Sequence, residues 1–175
     1  MFRRILAKIF LLIFLFLTAW VIYAALRPEV LPLGSKMPAI DFLTEATIKK
    51  LKLDTTRTTI VVYFSNDCKH CQYMLKMIDE NLNVFQDIFI ILLTSEDVFF
   101  ERKSTNKWPN LKIANNITWG IVKSEEITKH FGVKITPTTL IFSKAGVLFA
   151  KIVGEVRLEK ILTEVRKNDG SGTSF

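Results

Sequence analysis

Seven consecutive residues, Thr58 to Phe64 (TTIVVYF), are all β-branched or aromatic, with no alternation of apolar and polar side chains. A strand of that composition buries both faces, so it must lie inside a sheet that is covered on either side. Asp87 to Thr94 (DIFIILLT) repeats the pattern. Between the two runs, Ser65-Asn66-Asp67 supplies turn and capping residues. From Cys68 the spacing turns helical, with Cys71, Met74, Leu75, Ile78 and Leu82 on one face.

The rest of the chain extends this alternation. Glu96 to Lys103 is expected as a helix with Val98 and Phe99 inward. Trp108 to Val122 reads as a loop with a short strand or a helical turn. Ser124 is placed as a helix N-cap, with Glu125 and Glu126 in the first turn and Gly132 just past the end. Thr138 to Phe142 is a strand, Lys144-Ala145-Gly146 a tight connection, and Val147 to Val153 its hairpin partner. Val156 to Lys167 reads as a last helix, with Leu158, Ile161, Leu162 and Val165 apolar. This order predicts an α/β domain, a central mixed β-sheet flanked by helices on both faces.

The apolar fraction is 49%, and much of the excess lies in one place. Ile9 to Leu26 (IFLLIFLFLTAWVIYAAL) is eighteen residues without a charge. As a helix it rises roughly 27 Å, close to the hydrocarbon thickness of a bilayer. Arg3, Arg4 and Lys8 precede it, so the short N-terminus is expected to stay cytoplasmic and the remainder to be exported. Trp20 and Tyr23 suit an interfacial belt near the outer end. A cleaved signal peptide would need a shorter apolar core and small residues at the cleavage site, whereas Ile22 and Tyr23 precede Ala24. A buried core helix would show a polar face, which this segment lacks.

The expected organisation is therefore a cytoplasmic N-terminus (1–8), a transmembrane anchor in the lipid bilayer (9–26), a linker (27–34), a globular domain (35–167) and a disordered tail (168–175). Pro28, Pro32 and Gly34 punctuate the linker, and the tail is polar and turn-rich. The protein would be a single-pass protein of the cell membrane, its domain periplasmic or otherwise extracytoplasmic.

The net charge of +7 falls to +4 once Arg3, Arg4, Lys8, Arg27 and Glu29 are set aside. The remaining basic residues are interspersed with acids, so no nucleic-acid partner is expected. The chain has two cysteines, three positions apart. A bridge between them closes a tiny loop and constrains little of the unfolded chain, so the pair is there for chemistry.

Cys68 would follow a buried strand and open a helix. There the first backbone N–H groups have no intrahelical partner and mark the positive end of the macrodipole. A thiolate is stabilised at such a place, which makes Cys68 the expected nucleophile. Lys69 and His70 add positive charge and are expected to tune it, while Asp67 opposes them. Cys71, one turn on, lies inward within disulfide reach and is the expected resolving thiol. Two other readings of the pair compete. A zinc site would need two further ligands, and the candidates are His70, wedged between the cysteines, and the distant His130. Two inert buried cysteines would have no reason to sit at a strand-to-helix junction. No metal or cofactor is expected.

VVYFSNDCKHCQYM, taken with FGVKITPTTLIFSKAGVLFAKIVGEV about sixty residues on, resembles the thioredoxin superfamily. The resemblance is strongest to membrane-anchored extracytoplasmic TlpA/ResA-type redoxins, whose leading segment is similar to Leu33-Gly34-Ser35-Lys36-Met37-Pro38 with Ile40 and Phe42. It covers roughly residues 33–167 and implies a thioredoxin-like fold with a redox-active Cys68–Cys71 disulfide. It also implies that Pro137 is cis beside the cysteines, and that the Thr136 backbone pairs with an extended partner segment. Protein disulfides or dithiols would be the substrates, recharged by a membrane electron-transfer partner.

The departures from the family pattern concern direction. Asp67 stands where Trp is frequent. ResA-type reductases carry Pro and Glu where this chain has His70 and Met74, and Val62 replaces thioredoxin's buried Asp. His before the second cysteine is typical of the more oxidising members. A reductant is the leading expectation, with an oxidase or isomerase, or a non-catalytic adaptor using Phe99, Phe100 and Trp108, as alternatives. A peroxidase is not expected, because Val61 and Ser65 occupy the places of the peroxiredoxin Pro and Thr.

Overall fold

The computed structural model describes residues 2–25, 31–44, 47–51, 56–96 and 107–168. Seven strands form one sheet: β1 (Asp41–Leu43), β2 (Ile48–Lys50), β3 (Thr58–Tyr63), β4 (Ile88–Thr94), β5 (Ile117–Ile121), β6 (Thr138–Phe142) and β7 (Leu148–Val153). Their spatial order is β2-β1-β5-β4-β3-β6-β7. The neighbours β3–β4 and β4–β5 are parallel and the other pairs antiparallel, as a mixed sheet requires.

The helices are α1 (Phe2–Ala25), α2 (Lys69–Glu80), α3 (Pro109–Ile113), α4 (Ser124–Phe131) and α5 (Leu158–Asn168). The alternation missing from the sequence of β3 is present in its packing. Ile60, Val62 and Phe64 face one core with Met74, Leu75 and Ile78 of α2, Leu111 of α3, and Ile161 and Val165 of α5. Val61 and Tyr63 face the other, with Ile127 and Phe131 of α4. Both faces are buried, so both are apolar.

Several boundaries differ from expectation. The linker was expected to run to Gly34, yet Leu31 is buried in the second core. The Gly34 N–H donates to the Leu148 carbonyl at 2.7 Å, and the Leu148 N–H donates to the Ser35 carbonyl at 2.8 Å. The folded unit therefore includes residues 31–34. Ser124 is not the cap of α4: Lys123 takes that place and Ser124 is the first helical residue, while Gly132 closes the helix at φ 63° as expected. Leu82 leaves the face of α2, which stops at Glu80, and begins a 3₁₀ turn, Leu82–Phe85. The last helix starts at Leu158 and reaches Asn168, which was placed in the tail. Trp108–Val122 holds both a helical turn and a strand. Trp108 is half-buried: it packs on the first core and stacks on Trp119 with ring centroids 6.1 Å apart. The helix expected over Glu96–Lys103, with Val98, Phe99 and Phe100, lies outside the described residues beyond Glu96.

Along α1 the side chains of Ile5 and Lys8–Tyr23 are described, and all but Thr18 are exposed. Among the described residues no helix is long and apolar enough to cross a membrane.

Candidate active site

β3 ends inside the sheet, and the Phe64 N–H still donates to the Leu93 carbonyl at 2.9 Å. The chain then turns through Ser65-Asn66-Asp67 into α2. Cys68 is the N-cap of that helix, with extended backbone (φ −85°, ψ 113°), and its sulfur accepts from the Cys71 N–H at 3.3 Å. A thiol thus takes the place that a Ser or Asp oxygen usually fills, satisfying a donor left orphaned by the helix start.

Both cysteines are free thiols, Cys68 half-buried and Cys71 buried. Burial resists ionisation of Cys68. The hydrogen bonds from Cys71, through its side chain and its N–H, together with the Thr136 side chain and the His70 N–H, outweigh it. They lower the thiol below its ordinary 9.0. Cys71 goes the other way. Burial foremost, then its hydrogen bond to Cys68, push it up to about 12, against the Ser65 N–H that favours its thiolate. That N–H lies 3.5 Å from the Cys71 sulfur.

The Thr136–Pro137 bond is cis, and the Thr136 carbonyl lies 3.8 Å from the Cys68 sulfur. This carbonyl only accepts, so it holds the protonated thiol, opposite in effect to the Thr136 side chain. Pro137 is buried and Thr136 half-buried, and the Pro137 carbonyl accepts from the Gly154 N–H at 2.8 Å. Residues 68, 71, 136 and 137 thus lie together where α2 begins.

The tuning residues behave less uniformly. Lys69 is exposed at the first helical position. His70 is exposed, and its Nδ1 lies 2.5 Å from Glu155 Oε2. Glu155 follows β7, 85 residues along the chain, and no local pattern marked it. His130 pairs with Glu126 one turn back at 3.1 Å, an ordinary helix-surface contact. Among the described residues no cluster of three metal-ligating side chains forms.

Val62 and Met74 are both buried, and Met74 Sδ accepts from Thr139 Oγ1 at 3.8 Å. An unanticipated carboxylate, Glu96, comes from beyond the end of β4. It accepts from Ser65 Oγ at 2.5 Å and from the Asn66 N–H at 2.7 Å.

A family model described as a thioredoxin-like domain matches residues 44–168. Among curated proteins, none matches the sequence significantly. The chain is similar in structure to the exposed lipoprotein thioredoxin of Streptococcus pneumoniae, with TM-score 0.60 and 16% identity over 74% of this chain and 99% of that one. A thiol:disulfide interchange protein from Bacteroides sp. gives 0.60 and 16% over 82% and 95%. A peroxiredoxin-like protein from Aquifex aeolicus gives 0.62 and 14% over 81% and 89%. At such identities the likeness is one of fold.

Proposed function

The chain belongs to the thioredoxin-like domain family, and on that premise we propose that it is a thiol–disulfide oxidoreductase exchanging its Cys68–Cys71 pair with exported protein partners, as a reductant. The observation that carries this reading is the unequal environment of the two sulfurs. Cys68 caps a helix, is half-buried, and is held below its ordinary pKa, whereas Cys71 is buried and held neutral. Cys68 thiolate attacks a partner disulfide, and the displaced partner sulfur leaves as a thiolate. Cys71, once deprotonated, attacks the Cys68 sulfur of the mixed disulfide, which closes the Cys68–Cys71 bond and releases the reduced partner. An extended partner segment would lie against Thr136, whose carbonyl already faces Cys68.

Reduction of insulin disulfides tests the activity, and undiminished reduction by Cys68→Ser would sink it. With Cys71→Ala the mixed disulfide cannot resolve, so the partner stays attached and can be identified. Normal complementation by Cys68→Ala, Cys71→Ala would instead favour an adaptor.

A second reading, an oxidase or isomerase, is favoured by His70 in the first turn beside Cys68 and by apolar Val62 and Met74 beneath the pair. A measured potential of about −270 mV, like thioredoxin's, marks a reductant, and one of about −120 mV, like DsbA's, an oxidant.

The proposal extends to location. The helix Phe2–Ala25 carries the uncharged run Ile9–Leu26 almost entire, its described side chains are exposed except Thr18, and Arg3, Arg4 and Lys8 precede that run. These features support an uncleaved anchor with the domain on the extracytoplasmic side, recharged there by a membrane electron carrier. Alkaline extraction should leave the protein in the membrane fraction, and a membrane-impermeant thiol reagent should label Cys68 in intact cells. Release by alkali, or protection from the reagent, would overturn this part.

A further inference from the structure

The resolving step poses a problem of charge. Cys71 must become a thiolate while fully buried, in a core that it shares with the apolar Val62 and Met74. Once Cys68 is joined to a partner it carries neither a charge nor a thiol, so its own upward push on Cys71 disappears. Burial remains, and the Ser65 N–H at 3.5 Å is the backbone donor directed at the sulfur.

What holds that donor in place is therefore of interest. Ser65 belongs to the turn between β3 and α2, a short irregular segment with few regular hydrogen bonds of its own. Glu96, just past the end of the parallel neighbour β4, reaches across to it. One carboxylate oxygen accepts from Ser65 Oγ at 2.5 Å and the other from the Asn66 N–H at 2.7 Å. The Glu96 N–H is itself fixed by Thr94 Oγ1 at 3.2 Å, and Gln72 Nε2 donates to the Asn66 carbonyl from the other side at 2.7 Å. Both bonds to Glu96 are charge-assisted, the stronger kind, and together they bind two adjacent residues to one carboxylate.

We infer that Glu96 is the positioning residue of the resolving step, a strap that keeps the Ser65 N–H aimed at the Cys71 sulfur. The inference rests on the exchange reading given above. In the step itself Cys71 S–H gives its proton to water or a buffer base, and the thiolate forms a bond to the Cys68 sulfur. The bond from Cys68 to the partner breaks with its electron pair on the partner sulfur, which is then protonated by water. The partner is reduced by two electrons and the cysteine pair is oxidised. Glu96 takes no proton in this scheme; it sets how well the developing charge on Cys71 is received.

The two steps can be timed separately in the full-length reduced protein in detergent, using 5,5′-dithiobis(2-nitrobenzoate) as the probe. Attack by Cys68 releases a first coloured thiolate, and attack by Cys71 a second. Glu96→Ala should slow the second release about tenfold at every pH between 7 and 9 and leave the first within about twofold, because a charge-assisted strap is lost from one step only. Glu96→Gln should restore most of the rate, since its amide oxygen can accept from Asn66 and its NH₂ can donate to Ser65 Oγ. An unchanged second phase in Glu96→Ala overturns the inference, as does an equal slowing of both phases, which would mark a distorted site. If Glu96→Ala does not fold, Ser65→Ala decides: it removes one of the two bonds but keeps the N–H, so a slowing of about threefold supports the strap and none overturns it. Absence of any release from the wild type would overturn the exchange reading itself, and this inference with it.

Discussion

The unequal sulfurs should be directly visible in their alkylation. Cys68 lies below its ordinary 9.0, so at pH 7 at least about one Cys68 in a hundred is ionised. Cys71, at about 12, is ionised in about one molecule in a hundred thousand. The thiolate fractions thus differ by at least about a thousandfold. Intrinsic nucleophilicity opposes this, because a more basic thiolate attacks faster, by about twentyfold over three pH units at a Brønsted slope of 0.4–0.5. The net preference for Cys68 is then at least about fiftyfold, before counting that Cys71 is 0% exposed and sterically closed to the reagent. The assay is iodoacetamide labelling of the reduced, folded protein from pH 5 to 10, with each cysteine peptide quantified by mass spectrometry. The Cys68 rate should reach half its plateau below pH 9. A Cys71 rate within tenfold of the Cys68 rate at pH 7, or a Cys68 midpoint at or above 9, would refute the reasoning.

Three further outcomes are expected. Cys71 is held neutral in the folded state up to about 12, whereas the unfolded chain ionises it from 9.0; its contribution is therefore complete below pH 9 and lost as pH rises to 12, by up to about 4 kcal/mol. The denaturation gap between the reduced wild type and Cys71→Ala should narrow across that window, and a constant gap would contradict it. Glu155→Gln removes a carboxylate that pairs with His70 beside the nucleophile. The thiolate, and so the reduced form, should gain, raising the reduction potential by about 10–20 mV in glutathione equilibration, with a fall as the contrary result. Gly120→Ala would place a Cβ against the Phe42 ring edge and 3.1 Å from Leu93 Cδ2, in the middle of the sheet. Its expected cost is about 1–3 kcal/mol in urea unfolding, and wild-type stability would show that the ring can move aside.

Elements whose surroundings are local or saturated are legible in the chain's residues. Thr58–Phe64 and Asp87–Thr94 read as strands because burial on both faces leaves no polar position to confuse the pattern. The helix after Cys68 was legible for the complementary reason, a clean 3.6-residue period from Cys71 to Ile78. The place of the cysteine pair followed from the same two facts, since a thiol at the junction of a buried strand and a helix falls on the unpaired N–H groups. Errors of one or two residues arose at ends, where caps depend on backbone geometry: Lys123 rather than Ser124, Glu80 rather than Leu82. The short strands β1 and β2 were not legible, because three residues carry too little periodicity and exist only through their neighbours.

Tertiary structure alone decided what surrounds the sulfurs. Val62 and Met74 could be read as missing carboxylates, but the carboxylate that is present arrives from Glu96, 31 positions from Ser65. His70 could be read as a charge near Cys68, but its partner Glu155 is 85 positions away. Both contacts come from chain segments that the parallel and antiparallel ladders bring to one end of the sheet. Local sequence sets which residue is able to ionise. The long-range contacts set how far its ionisation is favoured or opposed, and they exist only once the sheet is assembled.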